Sequence, residues 1–133
     1  MPTSKKKKTK KQQPLHWVFE PLMDEPSYIE KPMFGCLACY LHGRLMLVLC
    51  SGEEPWNGML IPTDHQFHDS ICHDFNSVVQ HTVLKKWLYL PEASEDFESS
   101  AFDIVETVRM NDIRFGVEPK EKKPKTQKKQ NAS

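Results

Sequence analysis

Two groups of residues in this 133-residue chain could do chemistry by their type and spacing. The first is Cys36-Leu37-Ala38-Cys39, the spacing of a redox dithiol or of half a zinc site. A redox dithiol needs its reactive thiol at a helix N-terminus, where the dipole lowers the thiol pKa, and a zinc ribbon needs a second cysteine pair. This pair sits instead in an apolar, β-favouring run without a second Cys-x-x-Cys. Residues three apart on a strand point to opposite faces, so the expectation is two small packing cysteines.

The second group is "DHQFHDSICHD", residues 64–74. On a helix His65, His68 and Cys72 fall at i, i+3 and i+7, with Asp69 and His73 alongside, a donor set suited to zinc. Phe67 and Ile71 claim the buried side of the same helix, so the competing reading is a solvated polar face. No His-Glu-x-x-His, no Gly-x-Ser-x-Gly and no glycine-rich phosphate loop occurs. The expectation is therefore no catalytic residue and no cofactor, with zinc at His65, His68, Cys72 and His73 as the alternative. Trp56, in the polar loop "EEPWNG", is either a lid on the core or an interface anchor.

The elements that must position these residues follow from periodicity. Apolar runs at 33–41 and 44–50 flank His42-Gly43, a two-residue loop with a glycine for positive φ, which predicts a hairpin over residues 33–50. A short strand is expected at 59–62, ended by Pro62, and another at 84–90, ended by Pro91. Thr63 and Gln66 form a capping-box pattern ahead of a helix at about 64–75. Ser94 reads as the N-cap of a helix at about 95–110, whose stripe is Phe97, Ala101, Ile104, Val105 and Val108. "LHWVFEPLM" can supply at most a short helix because of Pro21, and "DEPSYIEKP" reads as connector. Strands first and helices interleaved singly afterwards imply an α+β layer, a mostly antiparallel sheet with two helices packed on it.

Charge divides the chain into three parts. Lys5, Lys6, Lys7, Lys8, Lys10 and Lys11 give residues 1–14 a charge of +6, and residues 118–133 carry +4. Between them, residues 15–117 hold 6 basic and 16 acidic residues, a net of −10. The ends contain almost no apolar residue, so they are expected to be disordered basic tails around one domain. An acidic body repels phosphates, which confines non-specific nucleic-acid or anion contact to the tail lysines. The partner expected for the body is protein. No apolar stretch is long enough to span a bilayer and no apolar segment follows the charged start, so cytoplasmic localisation with reduced thiols is the expectation.

Residues 31–49, "KPMFGCLACYLHGRLMLVL", resemble the opening of the TfoX N-terminal domain family, related in fold to the MmcQ/YjbR group. Met33, Phe34, Gly35, Tyr40 and Gly43 occupy the places of its Met-Phe-Gly start, its aromatic strand residue and its turn glycine. Trp87, Tyr89, Pro91 and Glu92 in "KWLYLPEASEDFE" match its aromatic strand, proline and acidic helix start. The resemblance covers roughly residues 30–110 and implies a small non-enzymatic α+β protein. "SGEEPWNGMLIPTDHQFH" stands where the family has its second hairpin.

Overall fold

A computed structural model describes residues 14–33 and 35–118. Phe34 and the tail lysines lie outside the described residues. The core is a six-stranded, all-antiparallel sheet carrying helices, an α+β fold as the periodicity requires. Its strands are β1 (Ile29–Met33), β2 (Cys36–Leu41), β3 (Arg44–Ser51), β4 (Asn57–Ile61), β5 (Val79–Gln80) and β6 (Leu88–Pro91). Their spatial order is β1-β2-β3-β4-β6-β5, so the first four form a meander and β6 inserts between β4 and β5.

β2 and β3 read as near-continuous apolar runs because both faces of the sheet are covered. One face carries Cys39, Leu41, Leu47, Leu49, Met59 and Ile61 into the main core. The other presents Ala38, Tyr40, Val48, Cys50, Leu60 and Tyr89 to a second, smaller cluster. A bulge between Cys39 and Tyr40 shifts the hairpin register: Tyr40 pairs with Leu45, but Cys39 pairs with Leu47. Met46 is the extra residue, and it joins Leu47 on the main-core side.

The main core is closed by α2 (Phe97–Arg109) and a 3-10 helix, His16–Leu22. The predicted stripe of α2, with Phe97, Ala101, Ile104, Val105 and Val108, is buried, and Val18, Phe19 and Leu22 pack with it. Each of these side chains other than Ala101 contributes about 1.5–3 kcal/mol by leaving water. Asp96, two residues after the expected Ser94, is the N-cap of α2: the Ser94 carbonyl accepts from Phe97 N–H in the turn before the helix, and the Asp96 carboxylate takes the Ser77 and Ser100 hydroxyls.

Three expectations need correction. Residues 29–33 of the expected connector form β1; Pro32 is tolerated there because β1 is an edge strand. The segment expected as a helix at 64–75 is a 3-10 turn, His65–Phe67, followed by α1 (His68–Asp74). Thr63 does not cap it: its hydroxyl donates to the Arg114 carbonyl. The strand expected at 84–90 begins only at Leu88, because residues 82–87 make a turn held by hydrogen bonds.

Candidate functional site

The β2–β3 hairpin and the chain leaving α2 enclose a cavity of about 300 Å³ whose walls include Leu41, His42, Arg44, Met46, Ile113 and Phe115. Local geometry puts each wall in place. His42 and Gly43 take positive φ values of 53° and 77° to close the hairpin, and Asn111 at 61° turns the chain sharply out of α2. The chain then returns as an isolated bridge, Leu45 to Val117, beside the hairpin. Gly116 makes this approach possible, since a Cβ there would collide with the Met46 thioether. Arg44 donates to the Gly116 carbonyl at 2.7 Å and meets Glu118 at 3.4 Å on the rim. Ile113, in the wall, is 79% exposed, and Met110, which precedes the wall residue Asn111 in the chain, is 77% exposed. Cavity and rim together form a largely apolar face edged by the Arg44–Glu118 pair and by Asp112.

Arg114 holds that wall. Its Nε and Nη2 donate to the two oxygens of Asp112 at 3.0 and 2.9 Å, a fork-on-carboxylate pair. Its Nη1 reaches Ser70 at 2.7 Å and Asp74 at 2.8 Å on α1. The Arg114 pair holds the Asp112 carboxyl below its ordinary range, and Asp112 in turn pushes the guanidinium pKa up. The "DIRFGV" segment is thus a clamp between α1, α2 and the hairpin.

On the opposite face of the sheet, His81 is fully buried. Its Nδ1 accepts N–H bonds from Val83 at 3.1 Å and Leu84 at 2.8 Å, which fixes the proton on Nε2, and Nε2 donates to the Pro55 carbonyl at 3.0 Å. Trp56 lies over the imidazole at 4.6 Å between ring centres, and Tyr89 meets it edge-on at 5.6 Å. Burial pushes the imidazole pKa down, with the Pro55 bond acting weakly the other way. Trp56, for which lid and interface anchor were both open, is half-buried over this cluster.

The histidine-rich segment is arranged differently from an even helical face. His65 and His68 approach with ring centres 4.9 Å apart, but His68 Nε2 donates to the Lys86 carbonyl at 2.9 Å. Cys72 turns partly into the main core and His73 is exposed. Among the described residues, no group of three or more His, Cys, Asp or Glu side chains is placed to hold a metal ion. Cys36 and Cys39 face opposite sides, as expected. Cys39 is a buried packing thiol whose pKa burial pushes up to about 12, whereas Cys36 is bonded to Cys50 as a cross-strand disulfide with Cα atoms 4.6 Å apart. The reading of Cys36 as a free packing thiol is corrected by that register. No described helix is long and apolar enough to cross a membrane.

No family model, curated protein or solved structure matches this chain. The site therefore has to be read from its own geometry. His81, Arg114 and the Cys36–Cys50 pair were not marked as sites by sequence reasoning. Only the compact "DIRFGV" pattern carried a visible signal, an acid and an arginine two residues apart beside an aromatic and a glycine.

Proposed function

We propose that this is a non-enzymatic protein that works through protein contacts, using the cavity between the β2–β3 hairpin and residues 110–115 as its specific face. The observation that supports this most is Ile113, 79% exposed in the wall of a largely apolar cavity of about 300 Å³. Large apolar side chains held out by a rigid clamp beside an unfilled pocket are the arrangement of a recognition surface. The partner offers an apolar side chain to fill the space between Met46 and Phe115. The lysine-rich ends add non-specific affinity for anions, nucleic acid included. We also infer a TfoX-like domain, a reading supported by the Gly43 hairpin and the Leu90-Pro91-Glu92 corner.

Affinity capture from native extract, compared across three forms of the protein, tests this. A specific partner is retained by the wild type and by protein trimmed to residues 15–117, and is lost from Ile113→Asp. Retention by Ile113→Asp, or loss on trimming alone, refutes the cavity as the contact face. Salt-sensitive nucleic-acid retention by the trimmed body would refute the role given to the tails.

A further inference from the structure

We propose that the N-terminal lysine arm docks on its own domain: the groove between Trp17 and the start of α2 holds the ammonium groups of Lys10 and Lys11 and withholds them from polyanions.

A second cavity, of about 570 Å³, opens where the 3-10 helix meets the first turn of α2. Its walls include Leu15, Trp17, Glu92, Glu95, Asp96 and Glu98. Local sequence explains the charge: an acidic linker runs from β6 into α2, and carboxylates suit the positive end of the helix dipole. That end amounts to about half a unit charge, so four carboxylates leave the groove strongly negative. Asp96 is committed to the Ser77 and Ser100 hydroxyls. Glu92, Glu95 and Glu98 are exposed, and among the described residues none of them is in an ion pair. Trp17 adds to the same walls an indole that is 42% exposed, and an indole ring attracts a cation by its quadrupole. Carboxylates and an exposed indole in one groove suit an ammonium group.

The chain's own connectivity selects the occupant. Leu15 is itself in the wall, and Lys11 and Lys10 stand four and five residues before it. At no more than about 3.6 Å per residue, their Cα atoms lie within roughly 14 and 18 Å of that wall. The C-terminal lysines instead leave the fold from Glu118, which meets Arg44 on the hairpin, and no hairpin residue lines the groove. Each ammonium–carboxylate contact is weak at an exposed site, but a tether this short gives an effective concentration in the millimolar range. At about 2 mM, a contact with a dissociation constant of about 1 mM is two-thirds occupied, and the arm's apparent affinity for a polyanion falls about threefold. That consequence rests on the anion-binding role given to the tails above; the docking itself does not.

Carbodiimide cross-linking of the full chain at low salt tests the docking, since it joins only an amine and a carboxylate in contact. Peptide mapping of the monomer should find Lys10 or Lys11 joined to Glu92, Glu95 or Glu98, and should lose that link at about 0.5 M salt, where exposed charges are screened. Links of these glutamates only to the C-terminal lysines, only to a second copy, or to nothing would overturn the proposal. Anisotropy of a labelled oligothymidylate at low salt tests the withholding. Glu92→Gln/Glu95→Gln/Glu98→Gln should bind it about threefold more tightly than the charge-matched Asp24→Asn/Glu53→Gln/Asp103→Asn, whose carboxylates are exposed outside the groove. The difference should vanish when residues 1–11 are removed. Equal affinity of the two variants, or a difference that persists without the arm, would overturn the withholding. If no form binds the oligonucleotide, the tails' role and the withholding fall together, and the cross-link still decides the docking.

Discussion

Replacing Arg114 by methionine keeps an unbranched side chain of similar length and removes the guanidinium, with its ion pairs and its place 5.7 Å over the Phe115 ring, so it tests the clamp. The Asp74 arm is the weaker one: Asp74 is 46% exposed, and an ion pair of that kind is worth about 0.5 kcal/mol. The fork onto Asp112 is better shielded, with the two side chains 17% and 24% exposed. Two charge-assisted bonds in that setting contribute roughly 1.5–2 kcal/mol together. The total of about 2–2.5 kcal/mol falls below the 3–5 kcal/mol typical of a broken, fully buried pair, because solvent can reach both carboxylates. Urea unfolding followed by circular dichroism should show this loss at unchanged slope, with Tm lower by roughly 10–15 °C for a domain of about 100 residues. Lysine at the same position keeps the charge without the fork and should recover less than half. The acid limb supplies an independent check. Asp112 titrates below its ordinary value of 3.8 in the fold, so its contribution is present above that value and is lost as pH falls through the folded pKa. Arg114→Met should flatten that part of the profile. A loss under about 0.5 kcal/mol, or an equal loss when Asp112 is already asparagine, would show that the clamp holds nothing.

Three further outcomes follow from other parts of the molecule. Gly58→Ala should cost more than about 3 kcal/mol, seen as loss of soluble folded protein, because the new Cβ would overlap the Leu90 carbonyl and lie 2.7 Å from Glu92 N; a folded variant of near-normal Tm would refute that close approach. Iodoacetamide on oxidised, unfolded protein should label two thiols, Cys39 and Cys72, and on native protein only Cys72, since Cys39 is buried with a pKa near 12; labelling of Cys36 or Cys50 before reduction would contradict the cross-strand bond. Elemental analysis of untagged protein should find well below one equivalent of zinc. Stoichiometric zinc that disappears in a His65→Gln/His68→Gln variant would support the metal reading instead.

The parts of the fold legible in the sequence were those fixed by local pattern. His42-Gly43 between two apolar runs specifies the hairpin, and the α2 stripe from Phe97 to Val108 specifies a helix and its buried side. β1 was hidden because Pro26 and Pro32 read as connector, and only the sheet's order shows that Pro32 lies on an edge where its missing N–H costs nothing. Thr63 looked like a cap because nothing local could reveal that the Arg114 carbonyl, 51 residues later, would claim its hydroxyl. His81 was invisible for a similar reason. A lone histidine before "TVLKKW" has no motif, and its partners come from Pro55 on a distant loop and from the turn that follows it. The histidine-rich segment had motif-like spacing, yet α1 starts only at His68, so His65 sits on a 3-10 turn and the even helical face does not form.

The bulge at Met46 makes the cysteine pairing a matter of counting residues. Without it, the two-residue loop would match Leu41 with Arg44, Tyr40 with Leu45, and so on outward, bringing Leu49 opposite Cys36. The extra residue moves Cys50 into that place and at the same step swaps which side of the sheet each later residue of β3 faces. Bulging out that one residue therefore decides, for this chain, both where the sulfur bridge can close and which side chains the main core receives. The same chain paired without the bulge would keep every cysteine and lose the bond, so the register of the hairpin, rather than cysteine content, is what a search for proteins sharing this disulfide should weigh.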